Sequence, residues 1–155
     1  MEKCEPVTCP FCNPADDDVV ARNELCYARR DRFPVNRGHL LVIPFRHTPD
    51  FFSLTTEERA AVCDLVVACK EMIDDEFAPD GYNIGFNAGE MAGQTIFHCH
   101  CHVIPRYAGD VADPRGGAGF RDRRHPLPPQ VLTLAAARPS GRPDPGHRRG
   151  WFPKE

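Results

Sequence analysis

Apolar positions along the chain fall into a few short runs and one long stripe. "HLLVIP" (His39–Pro44) is a continuous apolar run closed by proline, which predicts a buried strand. "ELCYARRD" (Glu24–Asp31) and "GYNIGFN" (Gly81–Asn87) predict two more strands. Between them Val62, Leu65, Val66, Cys69, Met72 and Ile73 recur at helical spacing. Thr55 with Glu58 three residues on forms a capping box that starts this helix, and it must end before Pro79. "CPFCNP" reads as a tight turn, and the acidic "ADDDVV" after it as exposed loop. A last strand lies within "GQTIFHCHCHVIPR". The order strand–strand–helix–strand–strand, without internal repeat, predicts an α+β fold with an antiparallel sheet.

The last strand carries the chemistry. His98, His100 and His102 occupy every second position, so on a strand they line one face, roughly 6–7 Å apart. Cys99, Cys101 and Val103 then point the other way into a core. A single histidine there would read as surface or core. Three in strict alternation point to a metal site or to nucleophilic catalysis, in which one imidazole attacks and its neighbours orient it. Neutral imidazole suits phosphorus chemistry, since its phosphoramidate adduct hydrolyses readily. Asn87, Gln94 and Thr95, just upstream, can donate hydrogen bonds to a phosphate or a leaving group.

Composition narrows the class. With 155 residues, 41% apolar and 26% charged, the chain has the content of one ordinary globular domain. It has no apolar run long enough for a transmembrane helix, and "MEKCEPVTCPFCNP" has no signal-peptide pattern. Eight cysteines in that context predict reduced thiols and metal ligation in a cytoplasmic protein. Charge divides the chain: residues 1–114 hold 10 Lys+Arg against 19 Asp+Glu, while 115–155 hold 9 against 3. The second segment also has 7 of the 16 prolines and 6 of the 12 glycines. That composition predicts a disordered or irregular C-terminal tail, solvated more readily than bound to nucleic acid.

Cys9-Pro-Phe-Cys12 has the spacing at which two thiolates share one zinc. By itself the pair could equally be redox-active or incidental. Two further ligands are on offer in His47, which closes "PFRH", and in His98; four protein ligands would make the zinc structural. Cys4, Cys26, Cys63, Cys69, Cys99 and Cys101 are left as core or near-surface thiols.

"HCHCHVI" resembles the signature of the histidine triad (HIT) nucleotide-binding family, and "GQTIFHCHCHVIPR" is most similar to its diadenosine-polyphosphate hydrolase and bacterial zinc-containing branches. "FPVNRGHLLVIPFRH", the capped helix and "GYNIGFNAGEMAGQ" fall in family order, so the resemblance covers about 10–116. It implies a HIT domain over residues 1–117, with a five-stranded antiparallel sheet and one main helix, and the tail over 118–155. After Gly117 the chain departs from the family pattern. The resemblance makes His100 the nucleophile that takes the nucleotide's α-phosphate, with His102 and Thr95 completing the catalytic set. It gives Asn87, Gly93 and Thr95 the phosphates, the glycine through its N–H, with Gln94 beside them. Asp31 would hold the ribose hydroxyls, and Phe11 and Leu25 the base. It supports zinc on Cys9, Cys12, His47 and His98 and a homodimer, while the composition argues against a membrane and against nucleic acid as partners. The expected activity is a nucleotidyl hydrolase of dinucleoside polyphosphates or nucleoside phosphoramidates. The alternatives are a zinc-stabilised nucleotide-binding module without turnover, and a nucleotidyltransferase.

Overall fold

The computed structural model describes residues 9–111, and the tail predicted over 118–155 lies outside them. Five strands, β1 (Val19–Arg22), β2 (Cys26–Arg30), β3 (Leu40–Pro44), β4 (Gly81–Phe86) and β5 (Cys101–Arg106), form one antiparallel sheet in the order β1-β2-β3-β5-β4. One helix, α1 (Thr56–Phe77), packs on one face. The five-stranded antiparallel sheet with one main helix is the expected architecture.

Local chemistry sets the boundaries of α1. The Thr55 hydroxyl accepts from the Glu58 N–H at 3.2 Å, and the Glu58 carboxylate accepts from the Thr55 N–H at 2.8 Å, so the capping box is complete. At the other end Ala78 turns left-handed, ahead of Pro79. Val62, Leu65, Cys69 and Ile73 are buried by the sheet as the stripe predicts, whereas Met72, placed in the same stripe, is 38% exposed. It sits at the margin of the apolar arc, where the helix surface already turns to water.

Alternation then sorts the sheet into two faces. Cys26, Ala28, Leu40, Val42, Cys101 and Val103 meet α1. Tyr27, Leu41 and Ile43 point away from it and pack with Cys9 and Phe11 from the N-terminal turn. The side away from the helix carries the functional groups.

Two expectations need correction. The "ADDDVV" stretch contains a strand, since Val19 and Val20 belong to β1. A four-residue edge strand flanked by three aspartates gives too short an apolar signal, and its pairing with β2 is further broken by a bulge between Val19 and Ala21. The histidine segment is also less regular than predicted, because β5 begins at Cys101 and leaves His98 and His100 on its approach. Pairing with β3 stops at Val42 opposite Cys101. Two residues further along β3 comes Pro44, which has no N–H for a ladder. Its carbonyl instead faces His98 Nε2 at 2.8 Å, and the Cys99 N–H donates to the Thr48 carbonyl at 2.6 Å. The three histidines thus keep their alternation without sharing one strand.

Candidate active site and metal centre

The candidate metal centre is assembled from three segments that the fold brings together. Cys9 and Cys12 are the ends of a turn closed by Cys12 N–H to the Cys9 carbonyl at 3.3 Å. Tyr27 of β2, fully buried, pins that turn by donating its hydroxyl to the Phe11 carbonyl at 2.8 Å. His47 follows β3, and its neighbour Arg46 forms a two-pronged pair with Glu58 at 2.7 and 2.6 Å, which ties the segment to the first turn of α1. His98 comes from the approach to β5. The ligand atoms of Cys9, Cys12, His47 and His98 lie within 4.8 Å of one another.

These residues fit zinc. Sulfur and nitrogen ligands of a tetrahedral zinc are roughly 3.5 Å apart. Cys9 Sγ is 3.4 Å and Cys12 Sγ 3.6 Å from His98 Nδ1, and Cys12 Sγ is 3.1 Å from His47 Nδ1. The tautomer of His98 fits as well. A carbonyl can only accept, so Nε2 carries the proton toward Pro44 and Nδ1 offers its lone pair to the sulfurs' side. Burial pushes the His98 imidazole down to about 4, which keeps it neutral.

Phe11 joins this cluster to His100. Its ring meets His98 edge-on with centroids 6.0 Å apart and His100 at 5.2 Å. His100 is buried, and its Nδ1 lies 2.8 Å from the His98 carbonyl. By the same reasoning Nδ1 carries the proton, and Nε2 is left with the lone pair that a nucleophile needs. Burial also lowers the His100 pKa, so the ring is neutral and able to attack.

His102, on β5 opposite Leu41, stands beside His100 with ring centroids 4.9 Å apart. Its Nδ1 lies 3.0 Å from Nε2 of His39, a fully enclosed residue that the sequence reading took only as the start of a buried strand. The Val35 N–H and the Asp31 carboxylate converge on His39 Nδ1, at 3.2 and 3.3 Å. A backbone N–H can only donate, so in the neutral ring Nδ1 accepts from Val35 and Nε2 donates to His102. Asp31 becomes an ion-pair partner only when His39 is protonated. Desolvation opposes that protonation and lowers the His39 pKa. His39 also closes the loop that starts at Asp31, since the Asp31 N–H donates to the His39 carbonyl at 3.0 Å.

The remaining predicted residues divide. Phe11 and Asp31 line a cavity of about 210 Å³ together with Phe33, Leu41 and Ile96. Leu25 does not. It lies in the β1–β2 turn, 37% exposed, because the hairpin closes through Asn23 and leaves no chain to carry it to the cavity. Asn87 follows β4 and sits against Gly93, where a Cβ would meet its Nδ2 at 3.2 Å. Gly93 has φ of +83°, and its N–H donates to the Glu90 carbonyl at 2.9 Å, so the phosphate donor expected of it is taken up by the turn. Gln94 is likewise turned inward. Its Oε1 accepts from the Gly89 N–H at 2.8 Å, and its Nε2 reaches the carbonyls of Pro49 and Ile96. It braces the loop, while Thr95 next to it is exposed.

A five-stranded sheet that sets three alternating histidines beside a Cys-Cys-His-His cluster defines the histidine-triad class. The family model described as the HIT domain matches residues 13–109, and the chain belongs to that family. Its relatives include an AP-4-A phosphorylase of Mycobacterium tuberculosis, 39% identical over 60% of this chain. A bis(5'-nucleosyl)-tetraphosphatase (asymmetrical) of Schizosaccharomyces pombe is 35% identical over 64% of it. The matches span 48% and 55% of those two proteins, about half of each. Among solved structures, a Zn-bound histidine triad family protein from Mycobacterium smegmatis superposes with a TM-score of 0.63 at 33% identity. That match covers 72% of this chain and 84% of the other. Among the described residues no helix is long and apolar enough to cross a membrane.

Proposed function

We propose that the protein is a nucleotidyl hydrolase that cleaves dinucleoside polyphosphates or nucleoside phosphoramidates through a covalent intermediate on His100. The observation that carries this is the His100–His98 hydrogen bond, which leaves the lone pair of a neutral, buried imidazole on Nε2. Nε2 attacks the α-phosphorus, the N–P bond forms and the bond to the leaving group breaks, an amine leaving group taking up a proton from solvent as it departs. Water then adds to phosphorus, the P–N bond breaks, the mononucleotide leaves, and one proton passes to solvent. His102, held by His39, donates toward the phosphate. Asn87 and Thr95 assist at the phosphates, and Asp31 and Phe11 hold the ribose and the base. The phosphorylase and tetraphosphatase relatives support bond cleavage in this substrate class.

Zinc on Cys9, Cys12, His47 and His98 supplies a closed four-ligand anchor and no open position for water. The buried thiols of Cys26, Cys69, Cys99 and Cys101 suit a reducing compartment, and we place the protein in the cytoplasm as a homodimer. β4 at the edge of the sheet leaves one ladder for a second copy.

The test is mononucleotide release from dinucleoside tetraphosphates carrying adenine or guanine, and from a nucleoside phosphoramidate, followed by chromatography. His100→Asn should abolish release and keep mononucleotide binding. Turnover unchanged in that variant would sink the assignment.

A further inference from the structure

The cavity beside Phe11 has an unusual wall. Its apolar part, Phe11, Phe33, Leu41 and Ile96, suits the faces of a planar ring, and Phe33 stands 86% exposed at the site. The same lining carries two cations, Arg29 and Arg32, and one carboxylate, Asp31. Arg29 projects from β2 on the side away from the helix, as Tyr27 does, and only 6% of its side chain is exposed. Its charge is compensated by Asp18, whose Oδ2 lies 3.0 Å from one terminal nitrogen of Arg29. Arg32 shares the same oxygen at 3.5 Å with a side chain that is 70% exposed.

A guanidinium has five N–H donors in a planar fork. Asp18 engages one nitrogen of Arg29, and among the described residues Arg29 makes no other side-chain hydrogen bond or ion pair. The fork lines the cavity, and its remaining donors are open to a ligand that supplies acceptors there. The matching partner is flat, has two adjacent acceptors on one edge, and fits against phenyl rings. Guanine meets this description with O6 and N7 side by side, the edge that arginine engages two-pronged. Adenine puts an amino group where O6 would be, and sets donor against donor.

We propose that Arg29, kept in place by Asp18, selects a 6-oxopurine base in this cavity, so that the protein prefers guanine nucleotides to adenine nucleotides. The proposal rests on the nucleotide reading of the site. Both rings offer the same stacking surface to Phe11 and Phe33, so the discrimination lies in the hydrogen-bonding edge. A good two-pronged contact of this kind discriminates by about tenfold or more.

The experiment is calorimetric titration of the full, zinc-loaded chain with GMP, IMP and AMP, repeated on Arg29→Met, which keeps the stem and removes the donors. Thermal unfolding of the variant confirms that it is folded, and Arg29→Leu, which also lacks donors, serves in its place if it is not. We expect GMP and IMP to bind the native protein about tenfold more tightly than AMP. In Arg29→Met the ratio should fall to about threefold or less, with AMP affinity nearly unchanged. IMP carries O6 and N7 without the 2-amino group, so its parity with GMP identifies the edge that is read. AMP binding as tightly as GMP, or a preference that survives in Arg29→Met, overturns the proposal and leaves the nucleotide reading standing. Failure of all three nucleotides to bind overturns both.

Discussion

His39 Nε2 and His102 Nδ1 lie 3.0 Å apart, and the contact couples the loop after β2 to the third histidine of the triad. The neutral His39 ring fixes which nitrogen of His102 carries the proton. Gln at position 39 removes the ring that holds this geometry. We expect His39→Gln to lower kcat for nucleotide hydrolysis roughly tenfold to a hundredfold with KM within a few-fold. Steady-state kinetics check it, and a change confined to KM would refute the positioning role.

The metal centre should act on stability before it acts on rate. Cys12→Ser removes the sulfur that faces both His47 and His98. Zinc content, measured by atomic emission, should fall from about one ion per chain, and Tm should drop by about 10 °C. Activity should decline less steeply than stability at low temperature, because His100 is linked to the metal only through His98 and Phe11. Equal Tm with and without chelator would exclude a structural ion.

A second anchor gives a pH dependence. Arg106 grips both oxygens of Asp110 at 2.7 Å, and the Tyr107 N–H and the Asn36 amide donate to the same carboxylate. These donors, Arg106 foremost, hold the Asp110 carboxyl well below the usual carboxylate range. A depressed folded pKa means that the added stability is present above the unfolded value, about 3.9, and fades as pH falls below it. Asp110→Asn should cost about 2 kcal/mol at pH 7, and its difference from the native protein should shrink toward pH 2. Urea unfolding at several pH values measures both. A difference independent of pH would rule out the charge as the cause.

Gly38 sits at φ +83° under Phe77 and Pro105, where a Cβ would meet their side chains at 2.8 and 3.2 Å. Gly38→Ala therefore combines left-handed strain with a clash and should destabilise the fold by about 2 kcal/mol. Its neighbour His39 would shift with it. Thermal unfolding gives the first effect, and hydrolysis rates in the folded fraction give the second.

These features differ in how well the sequence announced them. Thr55 and Glu58 act within one helical turn, so spacing alone placed them. The three triad histidines and the Cys9–Cys12 turn were legible for the same reason, since each motif is local. His39 was hidden because its role depends on a partner 63 positions away, and its own neighbours read as ordinary strand. The bracing role of Gln94 was hidden for the opposite reason. An amide next to the motif suggests a ligand contact, and only the closed loop reveals that its donors are taken by carbonyls. The place of Leu25 was not legible either, because a turn residue's position follows from hairpin geometry, which alternation cannot supply. Arg29 carried no signal at all, since one arginine in "YARR" becomes significant only when a cavity forms against it.

β5 places Cys101 and Val103 on one side and His102 on the other, so a deletion of one residue there would exchange the oily and the chemical faces at once. The stretch between Asn87 and Ile96 is not a strand, so a change of length there would disturb the Gln94 brace without exchanging the two faces. The residue count from His98 to Arg106 should therefore be the least tolerant of change in this chain.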